Sequence, residues 1–264
     1  MTRIGSLRPH SVAGVTLAQT VALVLPFVFV ARPAVETYAT ILVAALIAAL
    51  VWESLFAVLR RRGPSLHGLT TALIATVLIP SDIAVWQLVV AMSLGVVLGE
   101  LVFGGRGFGF VNPATVALSL LLISFPQVQL PAPTQSLALA TLPGAVILLA
   151  LGLIAWRIIL AAAISVVAML LVRGHGIDPE AIATALAFGL IFLICEPTSA
   201  ASTNAGRWVY GALAGGLVVL FSPDAALTSE AVVFAALMAS VFAPLIDHLW
   251  VLTHSRLRRV RQYG

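Results

Sequence analysis

The sequence predicts an all-α polytopic membrane protein, with about ten transmembrane segments forming two inverted five-helix repeats that contain broken half-helices. Three observations predict it. Hydrophobic residues fill 61% of the 264 positions and charged residues 9%, at a mean hydropathy of +1.12. A soluble domain carries roughly 25% charged residues, so this chain has too little polar surface to cover a water-soluble globule. All 14 basic residues are arginine, and they sort to one side of the predicted segments. Finally, Leu73–Leu98 and Leu190–Leu220 share an order of features: an apolar run, a proline with polar neighbours, a tryptophan, then a stretch of small residues.

The first segment, 13–31, follows Arg3 and Arg8. It is longer than the roughly 7–15 residues of a signal-peptide core and lacks a small-x-small cleavage site, so a retained span is expected. Segment 37–59 ends at Arg60–Arg62, and segment 67–80 is short and stops at Pro80. Segment 84–103 runs into glycines, and segment 112–126 restarts at Asn112-Pro113. An outer loop is expected over 127–142. Segments 143–155 and 158–172 flank Arg157, segment 180–195 is again short, and 208–222 and 229–252 complete the set. Crossing about 30 Å of hydrocarbon takes roughly 20 residues. The short runs 66–80 and 180–195 are therefore candidate half-helices around an internal site. The chain then forms a single integral membrane domain: repeat one about 1–126, the outer loop 127–142, and repeat two about 143–264.

With the N-terminus in the cytoplasm, twelve arginines fall inside, among them Arg60–Arg62, Arg106, Arg157, Arg207 and the group Arg256, Arg258, Arg259 and Arg261. Only Arg32 and Arg173 fall outside. This positive-inside bias predicts that both termini are cytoplasmic. It also accounts for the pI near 10.2 without nucleic acid. One cysteine, Cys195, allows neither an internal disulfide nor a four-cysteine metal site. The five histidines show no zinc spacing, and no nucleophile elbow or Walker motif occurs.

Phe103–Ala114 reads FGGRGFGFVNPA. Gly104, Gly105 and Gly107 allow positive φ and close approach of a backbone or a flat ligand. Asn112-Pro113 suits the start of a helix. The alternative is a plain tight interhelical turn. Glu100 and Asp247 lie within spans, where ionisable groups face a cavity or a partner. They are candidates for an ion pathway or for structural pairs. Cys195–Trp208 reads CEPTSAASTNAGRW, where Glu196, Thr198, Ser199, Thr203 and Asn204 offer hydrogen bonds to the edge of a heteroaromatic ring, or simply form a solvated loop.

Together these stretches resemble the NqrB/RnfD family. RPHS at Arg8–Ser11, GPSLHGLTTALIATVLIP at Gly63–Pro80 and GELVFGGRGFGFVNPA at Gly99–Ala114 are similar to family motifs, as are LLISFP at Leu121–Pro126 and WRII at Trp156–Ile159. CEPTSAASTNAGRWVYG resembles its DPVSA-type loop with Glu196 in place of aspartate, and FAPLIDH at Phe242–His248 its last span. The resemblance implies flavin-carrying membrane subunits of sodium-pumping NADH:quinone reductase and Rnf complexes, with a urea-transporter-like fold. It implies a covalent FMN on a threonine near the outer face and a riboflavin toward the cytoplasm. It links the acid at Glu100 to ion passage and places Gly104 and Gly105 near a quinone site. One departure stands out. The family's Ser-Gly-Ala-Thr is replaced by Ala138-Leu139-Ala140-Thr141, so a non-covalent flavin is expected over a covalent FMN at Thr141.

The function expected is an electron-relaying, flavin-holding membrane subunit of an Rnf/Nqr-like complex, with FMN or riboflavin as cofactor and coupling to ion movement. Its partners would be other membrane and soluble subunits, the lipid bilayer and a quinone. Such a chain is an electron-transfer subunit rather than a complete enzyme. The alternatives are a transporter or channel on the same scaffold, or a flavin-free anchor for a soluble redox partner.

Overall fold

The computed structural model describes residues 12–61, 63, 65–223 and 226–263, with backbone only for Val12 and residues 254–263. The motif RPHS, Arg62 and the side chains of the last four arginines therefore lie outside the described residues. Ten helices form the described chain: α1 Val12–Ala31, α2 Val35–Leu59, α3 Gly68–Leu78, α4 Val85–Val96, α5 Pro113–Ser124, α6 Gln135–Ala150, α7 Trp156–Val172, α8 Pro179–Gly189, α9 Asn204–Phe221 and α10 Ser229–Tyr263. α4 and α8 each continue into a π-helical turn, Val97–Leu101 and Leu190–Ile194. There Val102 N donates to Val97 O and Cys195 N to Leu190 O, each five residues back and 2.9 Å away. α1, α2 and the first 25 residues of α10 are long and apolar enough to cross a membrane. The chain is a polytopic membrane protein.

Four helix pairings of the first five helices recur in the second five. α1 packs on α3 as α6 does on α8, α2 on α4 as α7 on α9, α3 on α5 as α8 on α10, and α4 on α5 as α9 on α10. α1 and α6 pack against each other head to tail. Val15 shares a cavity with Leu153 and Ile154 beyond the end of α6, while Phe29 shares another with Ser136 and Leu137 at its start. Small residues let these helices approach closely. A Cβ on Gly215 of α9 would collide with Ala162 O of α7, and one on Gly211 would stand 2.6 Å from Ile158 O.

The two largest boundary differences from the sequence expectation are at the start of α6 and the end of α10, with smaller ones at the end of α6, Ala150, and the start of α9, Asn204. α6 begins at Gln135 rather than at Pro143, so the connection is eight residues shorter at its far end than the expected 127–142 loop. Thr134 N-caps α6 through its hydroxyl, and Pro143 sits inside the helix. Proline marks a helix start only when its missing N–H would be unpaired anyway; here neighbouring helices hold the helix past it. α10 runs on to Tyr263, through Ser-Arg-Leu-Arg-Arg-Val-Arg-Gln, a stretch in which arginine, leucine and glutamine are good helix formers.

Candidate functional site

The glycine loop follows directly from the π turn of α4. Gly104, Gly105 and Gly107 have φ of +124°, +95° and +87°, a region that costs other residues about 1–2 kcal/mol. These angles fold the loop back on the helix end. Gly104 N donates to Leu101 O, Gly105 N to Glu100 O and Phe108 N to Gly105 O, over 3.1–3.2 Å. Asn112 closes the loop. Its Oδ1 accepts from Ala114 N at 2.9 Å and caps α5, while its Nδ2 donates to Phe192 O at 3.1 Å, across to the second half.

Arg106 is the centre of the arrangement. Its side chain is 4% exposed and its Nη2 stands 3.1 Å from Glu196 Oε1. That contact is an ion pair without in-line hydrogen-bond geometry. Arg106 also donates to Gln19 Oε1 of α1 at 2.9 Å and to His67 Nε2. Nδ1 of His67 lies 2.6 Å from Thr70 Oγ1, which itself donates to His67 O at 2.8 Å. The hydroxyl therefore accepts from Nδ1–H, leaving Nε2 as the acceptor for Arg106. Glu100 Oε2 lies 3.6 Å from the same Nε2. Glu53 of α2 caps α3 by accepting from Gly68 N at 3.1 Å and from Ser65 Oγ.

Glu196 organises its own turn. Its Oε2 accepts from Thr198 N at 2.9 Å, Thr198 Oγ1 at 2.5 Å and Ser199 N at 3.0 Å. Ser199 Oγ is buried without a partner. Thr203 caps α9 by accepting from Gly206 N at 3.1 Å, and Asn204 Oδ1 accepts from Arg157 Nη1 at 2.7 Å. Asp247, on α10, accepts from Ser202 N and Oγ at 2.7 and 2.9 Å, and from Thr203 N and Oγ1 at 3.0 and 2.5 Å.

The two loops singled out in the sequence thus meet through Arg106–Glu196, and Asn112 also reaches Phe192 in the π turn that precedes the second loop. The open space lies on either side of them. A cavity of about 350 Å³ beside α2 is lined by Glu53, Phe56, Arg60, Glu100, Gly104, Gly105, Arg106 and Phe108. A second, of about 270 Å³, lies behind Cys195, Pro197 and Arg207. Of the expected site residues, Glu100, Gly104 and Gly105 line the first cavity. Gly107, Asn112, Glu196, Thr198, Ser199, Thr203, Asn204 and Asp247 hold the loops together. Sequence reasoning missed Gln19, His67 and Arg106. The one available signal was an arginine inside a glycine run.

Thr141 stands apart from this cluster. It lies in α6, is 1% exposed, and its hydroxyl donates to Leu137 O at 2.8 Å. One turn on, a Cβ at Gly144 would stand 2.6 Å from Ala22 O of α1. The Thr141 hydroxyl is thus turned back onto its own helix. The cavity beside α2, by contrast, is in the size range of small ligand sites.

A buried inter-half ion pair between two broken-helix loops, beside a cavity, belongs to the class of polytopic membrane proteins built from inverted repeats. The family model for NQR2, RnfD, RnfE matches residues 7–134 and again 131–255, so the chain belongs to that family. Among curated relatives, a subunit of the Na(+)-translocating NADH-quinone reductase of Ectopseudomonas mendocina is 28% identical, over 80% of this chain and 66% of the relative. The corresponding subunits from Pseudomonas aeruginosa and Azotobacter vinelandii are each 29% identical with the same coverage. The chain therefore spans just under two thirds of the length of these relatives.

Proposed function

We propose that this chain is an electron-relaying membrane subunit of an Nqr- or Rnf-type redox complex, working with other membrane and soluble subunits in a bacterial inner membrane. The observation that carries the reading is the cavity beside the glycine loop, whose wall includes Arg106, the residue tied to both halves. Glycines on that wall leave a ring face uncovered by side chains. Phe56 and Phe108 offer aromatic faces, and Arg60, Glu53 and Glu100 offer polar edges. A flavin, FMN or riboflavin, would sit with its ring here, held non-covalently, or a quinone head would occupy the same space. A bound flavin supplies one- and two-electron chemistry. The chain's own residues orient the ring, keep water from it and fix the charge around it. Of the two acids lining that space, Glu100 has the fewer partners, which suits a role in ion coupling. The names of the relatives support the sodium-translocating reading of that coupling.

The test is the visible spectrum of protein purified in mild detergent, followed by mass spectrometry after denaturation. The expected result is a flavin band that is lost to the supernatant on denaturation, with an unmodified peptide containing Thr141. A peptide carrying the mass of FMN would overturn the non-covalent reading. Protein with neither a covalent nor an extractable flavin would favour the transporter or the flavin-free anchor.

A further inference from the structure

We propose that Asp247 is a positioning residue: it clamps the loop between α8 and α9 so that Glu196 reaches Arg106. Both carboxylate oxygens are occupied. Oδ2 takes the N–H and hydroxyl of Ser202, and Oδ1 takes those of Thr203. Four donors from two consecutive residues fix the loop end, as hydrogen bonds to a charged acceptor are stronger than neutral ones. The fit is close on the other side too. A Cβ at Gly206 would stand 2.5 Å from Asp247 Oδ1 and would collide with Thr203 Oγ1.

Only six residues separate Glu196 from Thr203, and they are bound at both ends. At one end Glu196 turns back on Thr198 and Ser199, and its free oxygen faces Arg106 at 3.1 Å. At the other end the anchor is Asp247. Ala201, between them, is buried, and its carbonyl accepts from Arg207 Nε at 3.3 Å. A loop this short transmits a shift at Ser202 to Glu196. A carboxylate whose oxygens already hold four protein donors has little capacity left for an ion, so the clamp accounts for the charge inside the span.

The inference rests on the reading of Arg106 and its cavity as the cofactor site, but its test does not require a cofactor. Cys195 is the chain's only cysteine, directly precedes Glu196 and is 1% exposed. Its alkylation by iodoacetamide in native membranes reports opening of this loop. The unaltered chain should react slowly. Asp247→Asn presents an amide nitrogen to donors at one position and should react about tenfold faster or more. Ser202→Ala, which removes one hydroxyl contact, should give a smaller rise and keeps the test open if the first variant fails to fold. Glu196→Gln should also react faster. Adding Asp247→Asn to Glu196→Gln should raise the rate by much less than the product of the two effects, because both act through one contact. Where flavin is bound, its absorbance band should change shape alike in the Asp247→Asn and Glu196→Gln variants, and Asp247→Glu should restore part of the protection. Cys195 protection unchanged in Asp247→Asn, or rates that multiply fully in the double variant, would overturn the clamp. Absence of flavin with the expected Cys195 rates would overturn the redox reading and leave the clamp standing.

Discussion

Single residues carry this site because the membrane interior makes every polar group consequential. Gly105 is one of them. Nothing lies within 4 Å of a Cβ placed on it, yet its φ is +95°. Crowding therefore plays no part, and backbone strain does. Gly105→Val should cost about 1–3 kcal/mol locally and distort the loop that carries Arg106. The expected outcome is a folded protein with weakened flavin retention, measured by flavin fluorescence released per mole of protein. Glu100→Gln removes a charge and keeps the volume, so the helix should fold and the assembled complex should lose turnover, measured as quinone-dependent electron transfer in membranes. Normal turnover in both variants would make the loop a plain interhelical connection. The sequence made Glu100, Asn112 and Glu196 visible as polar interruptions in apolar runs. It did not reveal what Arg106 binds, since Gln19 lies 87 residues away and His67 lies 39 residues away. Such pairings arise only once the helices have packed.

At the scale of elements, small-residue helix faces decide which helices touch. α9 lies against α7 through Gly211 and Gly215, with backbone oxygens where side chains would otherwise be. Gly215→Val should push the helices apart. Overpacking of this kind costs about 1–3 kcal/mol and more where backbone must move. The expected readout is a lowered thermal midpoint or loss of the monodisperse peak on size exclusion; a variant as stable as the original would show that this contact is dispensable. Arg173 explains an exception to the charge sorting. Its guanidinium donates to Val219 O at 2.7 Å and Ser222 O at 3.4 Å, at the C-terminal end of α9, where a cation is favoured by the helix dipole. The hydropathy pattern placed most helices within a few residues. It misplaced the start of α6 because Pro143 and its neighbours look like a helix beginning, and only the packing on α1 shows that the helix passes through.

For the whole molecule, the question is which end faces the cytoplasm. The contacts divide the chain into two ends. One holds Arg60, Arg106, Arg157 and Arg207, with Asp247 and the loops of the candidate site. The other holds Arg173 and the acids Glu180 and Glu230, which meet Gln135 and Leu130. If the arginine-rich end is retained on the cytoplasmic side, as the positive-inside bias predicts, the site lies inside and the connection before α6 outside. Gln135 is a suitable reporter, being exposed and bonded through its side-chain amide to Glu180 at 2.7 Å. Gln135→Cys should be labelled in intact cells by a membrane-impermeant maleimide. The native Cys195, buried at 1% exposure, should add little background. A cysteine replacing Asn204, at the arginine-rich end, should be labelled only after the membrane is opened. If Gln135→Cys reacts only in opened vesicles, the orientation is reversed, and the cavity beside the glycine loop would then face partners outside the cell rather than the cytoplasmic donors that the redox reading requires.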